Sequence, residues 1–473
     1  MDRFFKHSLL ALAVSAVACG AAVAGPSAEL PRDLPPYAAD KPLPVPDIAR
    51  RTLANGLEVW VLPRDGLPRV DYVLAVRDAG YTADAPDAPG FASLLAGLLS
   101  EGTAARDSRA IAEFAQAQGG GIGASASSDG ALVYANALAA NAGPMLSLLA
   151  EVVRTPSFPE DEVRLAQANA LQALKAAESQ PGFRANRAVL QALYGDHPYA
   201  RTQQTEASIL GVTRDALRTE HGRRFQPGRS LLVVTGRIDA DEAFRLAEAA
   251  FGDWSASGGE VAAAAPAPRQ VEPRRVLLQR DGSVQSTIRL ASPAVPATDA
   301  DAIALQLANT VLGGSFSSRV MQNLREDKGY TYGARTASQL AARGGHLVGA
   351  ADVRNEVTGA SLTEFFNEYR RIGSEPVPAP ELDDTKRYVA GGYLIANQLQ
   401  AAVASTLASN WLVGLPPEYL GEYVPRVRAV TAEQVQAMGA KYFAPERQSI
   451  VIVGDGAAVS GQLEPWGPFQ AGE

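Results

Sequence analysis

Two rhythms of apolar residues organise this chain. Leu57-Glu58-Val59-Trp60-Val61-Leu62 alternates as a half-buried strand does, and Asn55-Gly56 supplies turn chemistry just before it. A second strand is predicted at 70–76, VDYVLAV. The stretch 90–103, GFASLLAGLLSEGT, changes to a helical period and reaches a stop at Gly102. In 119–138, two alternating runs meet at Asp129-Gly130, which predicts a hairpin. Ala-rich helical patterns then fill 161–178 and 184–194. Strands, hairpins and helices are interleaved within each half of the chain. The pattern therefore predicts an α+β fold, an antiparallel-rich sheet covered by helices, rather than a doubly wound parallel sheet.

The same grammar occurs twice. VTRDALRTEHGRRFQPGRSLLVVTG (212–236) lies over VTAEQVQAMGAKYFAPERQSIVIVG (430–454) without a gap, at a constant offset of 218. Thr213/Thr431, Phe225/Phe443, Pro227/Pro445, Arg229/Arg447 and Gly236/Gly454 coincide. Each copy reads as a Thr N-cap, a helix, a Phe-x-Pro stop and a continuous apolar strand of the kind buried on both faces. Two homologous domains follow. Between them, GGEVAAAAPAPRQVEP (258–273) lacks periodicity and reads as a linker.

Composition narrows the partners. The 473 residues are 47% hydrophobic and 20% charged, as in an ordinary folded protein. With 43 Lys+Arg against 51 Asp+Glu, the net charge of −8 gives no basic surplus for a phosphate backbone, so nucleic acid is not an expected partner. The first residues carry Arg3 and Lys6, then an apolar run from Leu9 to Ala24 that is too short to span a bilayer and ends in Ala22-Val23-Ala24. Residues 1–24 are read as a cleaved signal peptide, and the protein as exported and periplasmic. Cys19 follows Ala16-Val17-Ala18, the alternative being a lipoprotein held through that cysteine. No transmembrane span is expected in the remainder.

Several chemistries are excluded in turn. Gly121-Ile122-Gly123-Ala124-Ser125-Ala126 fits a dinucleotide fingerprint loosely but leads into a strand, where that fingerprint needs a helix. Gly313-Gly314-Ser315 lacks the Gly-Lys of a phosphate loop, and no G-x-S-x-G elbow occurs. Four His and one Cys leave little from which to build a metal site. Apart from His7 in the leader, His197, His221 and His346 are far apart in sequence, so no helix face presents two imidazoles; each is expected to be structural.

The chain from about residue 50 to 455 nonetheless resembles one half of the pitrilysin-type metallopeptidases, the inverted zincins, in the branch of mitochondrial processing peptidase and bacterial two-subunit peptidases. The resemblance rests on Leu53-Ala54-Asn55-Gly56-Leu57, the helix 90–103, His197-Pro198-Tyr199, the two domain-ending strands, and LGGSFSSRVMQNLREDKGYTYGA (312–334). It implies half of a clamshell built by two chains of this size. Active members carry G-x-A-H-x-x-E-H on the first helix. Here Gly90, Ala92, Gly102 and Thr103 stand in register, but Ser93 and Gly97 occupy the two His positions and Ala96 that of the general base. The third ligand, a Glu on a later helix, falls at Ala173. None of the four can supply the family's chemistry, so no metal and no independent activity are expected in this chain. The resemblance also implies that Arg325 and Tyr332, seven residues apart, contact substrate and stabilise its oxyanion in trans; Tyr330 is the second choice. At the substrate-pairing edge strand the family's Asn-Ala becomes Gly123-Ala124.

The expected organisation is a signal peptide 1–24, an N-terminal domain 25–257 with a degenerate zinc site, a linker 258–273 and a C-terminal domain 274–473 carrying the Arg/Tyr pair. The expected role is the non-catalytic subunit of a heterodimeric peptidase. It would complete the substrate chamber beside a homologous subunit that carries H-x-x-E-H and holds the Zn²⁺, with peptides as substrates. The rivals are a structural or assembly protein and a stand-alone peptide-binding protein of the same fold.

Overall fold

The computed structural model describes residues 47–472, Ser257 excepted; the leader 1–24, with Cys19, lies outside the described residues. The first six strands are β1 (Ala49–Thr52), β2 (Glu58–Pro63), β3 (Arg69–Arg77), β4 (Gly121–Ala126), β5 (Gly130–Leu138) and β6 (Ser230–Gly236). They form a sheet in the order β1-β2-β6-β3-β5-β4. The next six are β7 (Arg275–Gln279), β8 (Gln285–Ala294), β9 (Thr331–Leu340), β10 (Gly345–Arg354), β11 (Ser449–Gly454) and β12 (Gln470–Gly472), ordered β12-β7-β11-β8-β10-β9. From the second position onward the two orders are equivalent, so the repeat seen in the sequence is a repeat of topology. The sheets differ at the outer strand: β1 is antiparallel to β2, whereas β12 is parallel to β7. Antiparallel pairs dominate, with β2–β6 and β7–β11 parallel, and helices cover both sheets.

Six helices matter below: α1 (Phe91–Gly97), α2 (Glu160–Glu178), α3 (Pro181–Tyr194), α4 (Thr358–Ser374), α5 (Ala379–Ala396) and α6 (Gln400–Leu412). β6 and β11 are buried along their whole length, which requires cover on both faces. One face of each sheet packs on helices of its own half. The other is covered from the opposite half. Val403, Leu407, Trp411 and Leu412 of α6 lie on Trp60, Val73 and Val233 of the first sheet. Ala185, Val189 and Leu193 of α3 lie on Ala291, Val451 and Val453 of the second. The segment 258–273 is correspondingly fixed: Val261 and Ala267 are buried, and Ala267 N donates to Arg343 O at 2.8 Å.

The predicted helix 90–103 is shorter than its pattern. Helical hydrogen bonding runs through α1 and one tighter turn, Leu98–Ser100; Gly102 then adopts φ +153° and bridges to Asp107. Thr103 N bonds Arg106 O, so the apolar period continues through buried Leu98 and Leu99 while the ladder stops.

The halves are joined by a buried polar network around His197-Pro198-Tyr199. The Tyr199 hydroxyl donates to Asp129 Oδ1 at 2.6 Å and accepts from Arg343 N at 2.9 Å, while Asp129 Oδ2 accepts from Ala342 N at 2.9 Å. Asp129 belongs to the β4–β5 turn and Ala342-Arg343 to the β9–β10 turn, so one tyrosine ties together the tips of two hairpins. His197 Nε2 contacts Ala265 O at 2.9 Å, and the Tyr194 hydroxyl pairs with His346 Nδ1 at 2.9 Å. Burial lowers the His346 pKa from 6.5 to about 4 and lowers that of His221, which bonds Val153 O.

Two outcomes follow. Tyr199→Phe strands a buried carboxylate oxygen and an amide N–H, and should lower unfolding stability by about 1–3 kcal/mol in urea titrations at neutral pH. Because the unfolded chain binds a proton at His346 that the folded one refuses, stability should fall as pH drops below about 6.5 and level off below about 4. The slope from this group is at most roughly 1.4 kcal/mol per pH unit. His221 adds to it with the same sign, and His346→Gln should flatten it in thermal scans.

Candidate functional site

The scaffold around α1 is rigid and specific. Gly90, at φ +76°, turns the chain into the helix where an added Cβ would meet the Gln204 side chain at 2.3 Å. Asp84, buried, receives the Ala92 amide at 3.1 Å and the Arg224 guanidinium at 2.8 Å. Arg224 is itself 1% exposed, bonds Glu220 at 2.8 Å and lies 5.4 Å from the centre of the Phe91 ring. A buried acid at a helix N-terminus with a fully enclosed cation behind it fixes both the position and the direction of α1.

What that helix displays is inert. Ser93 and Gly97, four residues apart, are exposed on one face, and a Cβ added at Gly97 meets nothing within 4 Å. Ala96 is buried and Ala173 is exposed on α2. Neither alanine nor glycine offers a ligand atom, and a single neutral hydroxyl does not hold Zn²⁺. Among the described residues no group of three or more His, Cys, Asp and Glu could hold a metal ion. The zinc that such a scaffold implies does not fit the residues present. The three described histidines are spent on structural hydrogen bonds to Ala265, Val153 and Tyr194.

Gly123 and Ala124 lie on β4, the edge strand of the first sheet. β5 pairs with one side of β4 only, at Gly123↔Tyr134 and Ala124↔Val133. The Tyr134 ring lies across Gly123, its hydroxyl 2.6 Å from where a Cβ would be, so a side chain at Gly123 would displace that ring. The glycine motif read in the sequence therefore lies within the edge strand itself. Tyr134, 48% exposed, is a contact residue that sequence reading missed. Alternation along 130–138 does not show what that ring covers.

Arg325 and Tyr332 lie in one continuous unit of the second half. Arg325 sits in a π-helical turn, Gln322–Asp327, and Tyr332 stands on the edge strand β9 at 94% exposure. The two share no hydrogen bond. The Arg325 guanidinium stacks on Phe316, 4.7 Å from the ring centre, and pairs with Glu326 at 3.4 Å. Beneath it the π-turn is pinned: Asn323 Nδ2 bridges Glu364 and Glu368 of α4, each at 3.0 Å, and just before the turn Arg319 donates two parallel hydrogen bonds to Glu381 of α5, both at 2.8 Å. Tyr330, the second choice, is half-buried. Phe316 was also missed. Its signal is an aromatic residue in the polar run Ser315-Phe316-Ser317-Ser318, and it is 69% exposed.

Residues 69–205 match the profile of the insulinase family, peptidase family M16, and residues 211–389 match that of the peptidase M16 inactive domain. An uncharacterized zinc protease of Mycobacterium tuberculosis is 27% identical over 420 residues, covering 86% of this chain and 92% of its own length. The uncharacterized zinc protease YmxG of Bacillus subtilis is 25% identical over 403 residues, covering 84% and 96%. Among solved structures, a peptidase M16 inactive domain from Pseudomonas fluorescens superposes with a TM-score of 0.81 at 27% identity, covering 86% of this chain and 98% of that one. A protease from Helicobacter pylori shares the fold, with a TM-score of 0.81 at 19% identity.

The geometry of α1 and α2 can be tested by restoring ligands. A Ser93→His, Gly97→His, Ala173→Glu variant should take up about one equivalent of Zn²⁺ by calorimetry where the wild type takes up none. No uptake by the folded variant would show that α2 does not place position 173 opposite α1.

Proposed function

Since the chain belongs to peptidase family M16, we propose that it is the zinc-less subunit of a two-chain peptidase, exported to the periplasm and paired with a homologous chain that carries H-x-x-E-H. In this reading it completes a chamber for peptide substrates and supplies Arg325 and Tyr332 to the partner's reaction. The observation that carries the reading is the contrast between the two halves. In the first, the support of the helix is intact while Ser93, Ala96, Gly97 and Ala173 offer no ligand. In the second, a cation and a phenol are presented at the surface with a dedicated network beneath the cation.

Physical chemistry supports the division of labour. A guanidinium and a phenol O–H aimed at a carbonyl oxygen favour the alkoxide that develops there, and neither depends on a metal in the same chain. An arginine stacked on Phe316 and paired with exposed Glu326 is held in place yet can exchange that carboxylate for a substrate oxygen. No helix among the described residues is long and apolar enough to cross a membrane. The domain limits 25–257 and 274–473 follow from reading 1–24 as a leader and 258–273 as a linker.

The test is reconstitution with the partner. Arg325→Ala should lower peptide turnover by about 10²–10³ while the partner keeps its zinc, and Tyr332→Phe should act in the same direction. Wild-type turnover in the Arg325→Ala complex would overturn the proposed role. A chain that stays monomeric and binds peptide alone would replace the reading with that of a stand-alone binding protein.

A further inference from the structure

Three arginines drawn from different halves of the chain meet over one cleft of about 620 Å³. Arg184 and Arg187 come from successive turns of α3, the helix lent to the second sheet, and Arg274 comes from the residue preceding β7. Their states differ. Arg187 is fixed, donating to Gln203 Oε1 at 3.1 Å, Glu178 at 3.3 Å and Gln204 O at 3.2 Å, with its guanidinium 5.0 Å from the centre of the Phe183 ring. Arg184 makes one hydrogen bond, to Gln279 O at 3.2 Å. The Arg274 side chain has no hydrogen-bond or ion-pair partner among the described residues. Among the described residues that line the cleft Glu178 is the single acid, so their formal balance is two positive charges, in a chain whose net charge is −8.

Gln191 and Gly472 also line the cleft, and the rest of its lining is apolar. Ala188 and Ala192 of α3 and Val276 and Leu278 of β7 line it, Ala192 and Leu278 being largely buried. Two underused guanidiniums approaching from different elements ask for more acceptor oxygens than one carboxylate offers, because a carboxylate is satisfied by a single guanidinium fork. A phosphate has three oxygens and, as a monoester near neutral pH, close to the two charges the cleft lacks. The volume lies within the range of small-ligand sites.

We propose that this cleft is a binding site for a phosphate monoester with an apolar substituent. The phosphate is held by Arg184 and Arg274, and the hydrocarbon lies on the part-exposed Val276 and Ala188. The site draws on both halves of the chain through α3, and it is independent of the peptidase reading above. The same chemistry is offered by a small phosphorylated molecule and by a phospholipid head group.

Titration of the purified chain with octyl phosphate, inorganic phosphate and octanoate, followed by calorimetry, tests the site. Octyl phosphate should bind saturably and at least about tenfold more tightly than either, since only it uses both the charge and the apolar floor. Arg184→Gln and Arg274→Gln should each weaken it about tenfold or more with the melting temperature unchanged, because both side chains reach solvent and neither is in an ion pair. Added salt should weaken it as well. Unchanged affinity in the double variant, or no saturable binding of octyl phosphate, would overturn the proposal. Sedimentation with vesicles containing phosphatidic acid separates the two sources. Vesicle binding that Arg274→Gln abolishes assigns the site to a head group, and no vesicle binding beside saturable octyl phosphate assigns it to a small molecule. Vesicle binding without octyl phosphate binding means surface adsorption, and sinks the idea.

Discussion

Each sheet of this protein is apolar on both faces, and that constraint governs the rest of the structure. A half with helices on one side only would leave Trp60, Val73 and Val233, or Ala291, Val451 and Val453, against water. Burying such side chains contributes roughly 1.5–3 kcal/mol each for the larger ones, so an uncovered face is a large loss against the stability of a whole domain. The chain solves this by exchange: α6 covers the first sheet and α3 the second. The two halves cannot separate without exposing both faces. The network of Tyr199, Asp129, Ala342 and Arg343 then sets the angle at which the rigid unit is held, because directional bonds fix what apolar contact leaves free to slide.

That rigidity extends to the support of α1. The Arg224–Asp84 pair is enclosed, and removing Arg224 would leave the buried Asp84 carboxylate uncompensated, at a cost of about 3–5 kcal/mol. Ser93 and Gly97, by contrast, lie on a solvent-facing surface of α1 where exchange costs little. The side chains at positions 93 and 97 and the scaffold that holds α1 are therefore governed by different energies, because the helix is held by residues that serve the fold.

Much of this was legible in the sequence. The gapless overlap of 212–236 with 430–454 became equivalent helices capped by Thr213 and Thr431, equivalent turns, and the buried strands β6 and β11. The continuous apolar run in those strands correctly indicated cover on both faces. What supplies that cover was not legible: the period of α3 shows that it has an apolar stripe, and nothing local says which sheet the stripe meets. The end of α1 was overrun because Leu98 and Leu99 stay buried after the hydrogen-bond ladder stops, so burial and helicity part company there. The π-turn under Arg325 depends on Glu364 and Glu368, some forty residues away, and no spacing rule within 312–334 contains it. The exposure of Tyr332 followed from its place on an edge, which only the strand order reveals.

The strand order carries one further argument. A sheet edge presents unpaired N–H and C=O groups, and proteins usually blunt it with charge or brevity. The outer edges here are blunted: β1 carries Arg50 and Arg51, and β12 is three residues long. The opposite edges are not. β4, GIGASA, has no charge, and β9, TYGARTASQL, runs ten residues with Arg335 as its only charge and no proline. Both lead into the turns that Tyr199 ties together, so the two unguarded edges converge on one place in the fold. Protection applied at one side of each sheet and withheld at the other is what a chain requires if those edges are to be met by another strand. Tyr332 and the Gly123–Tyr134 contact stand on those edges, which links the surface that lacks its guard to the residues proposed to act on substrate.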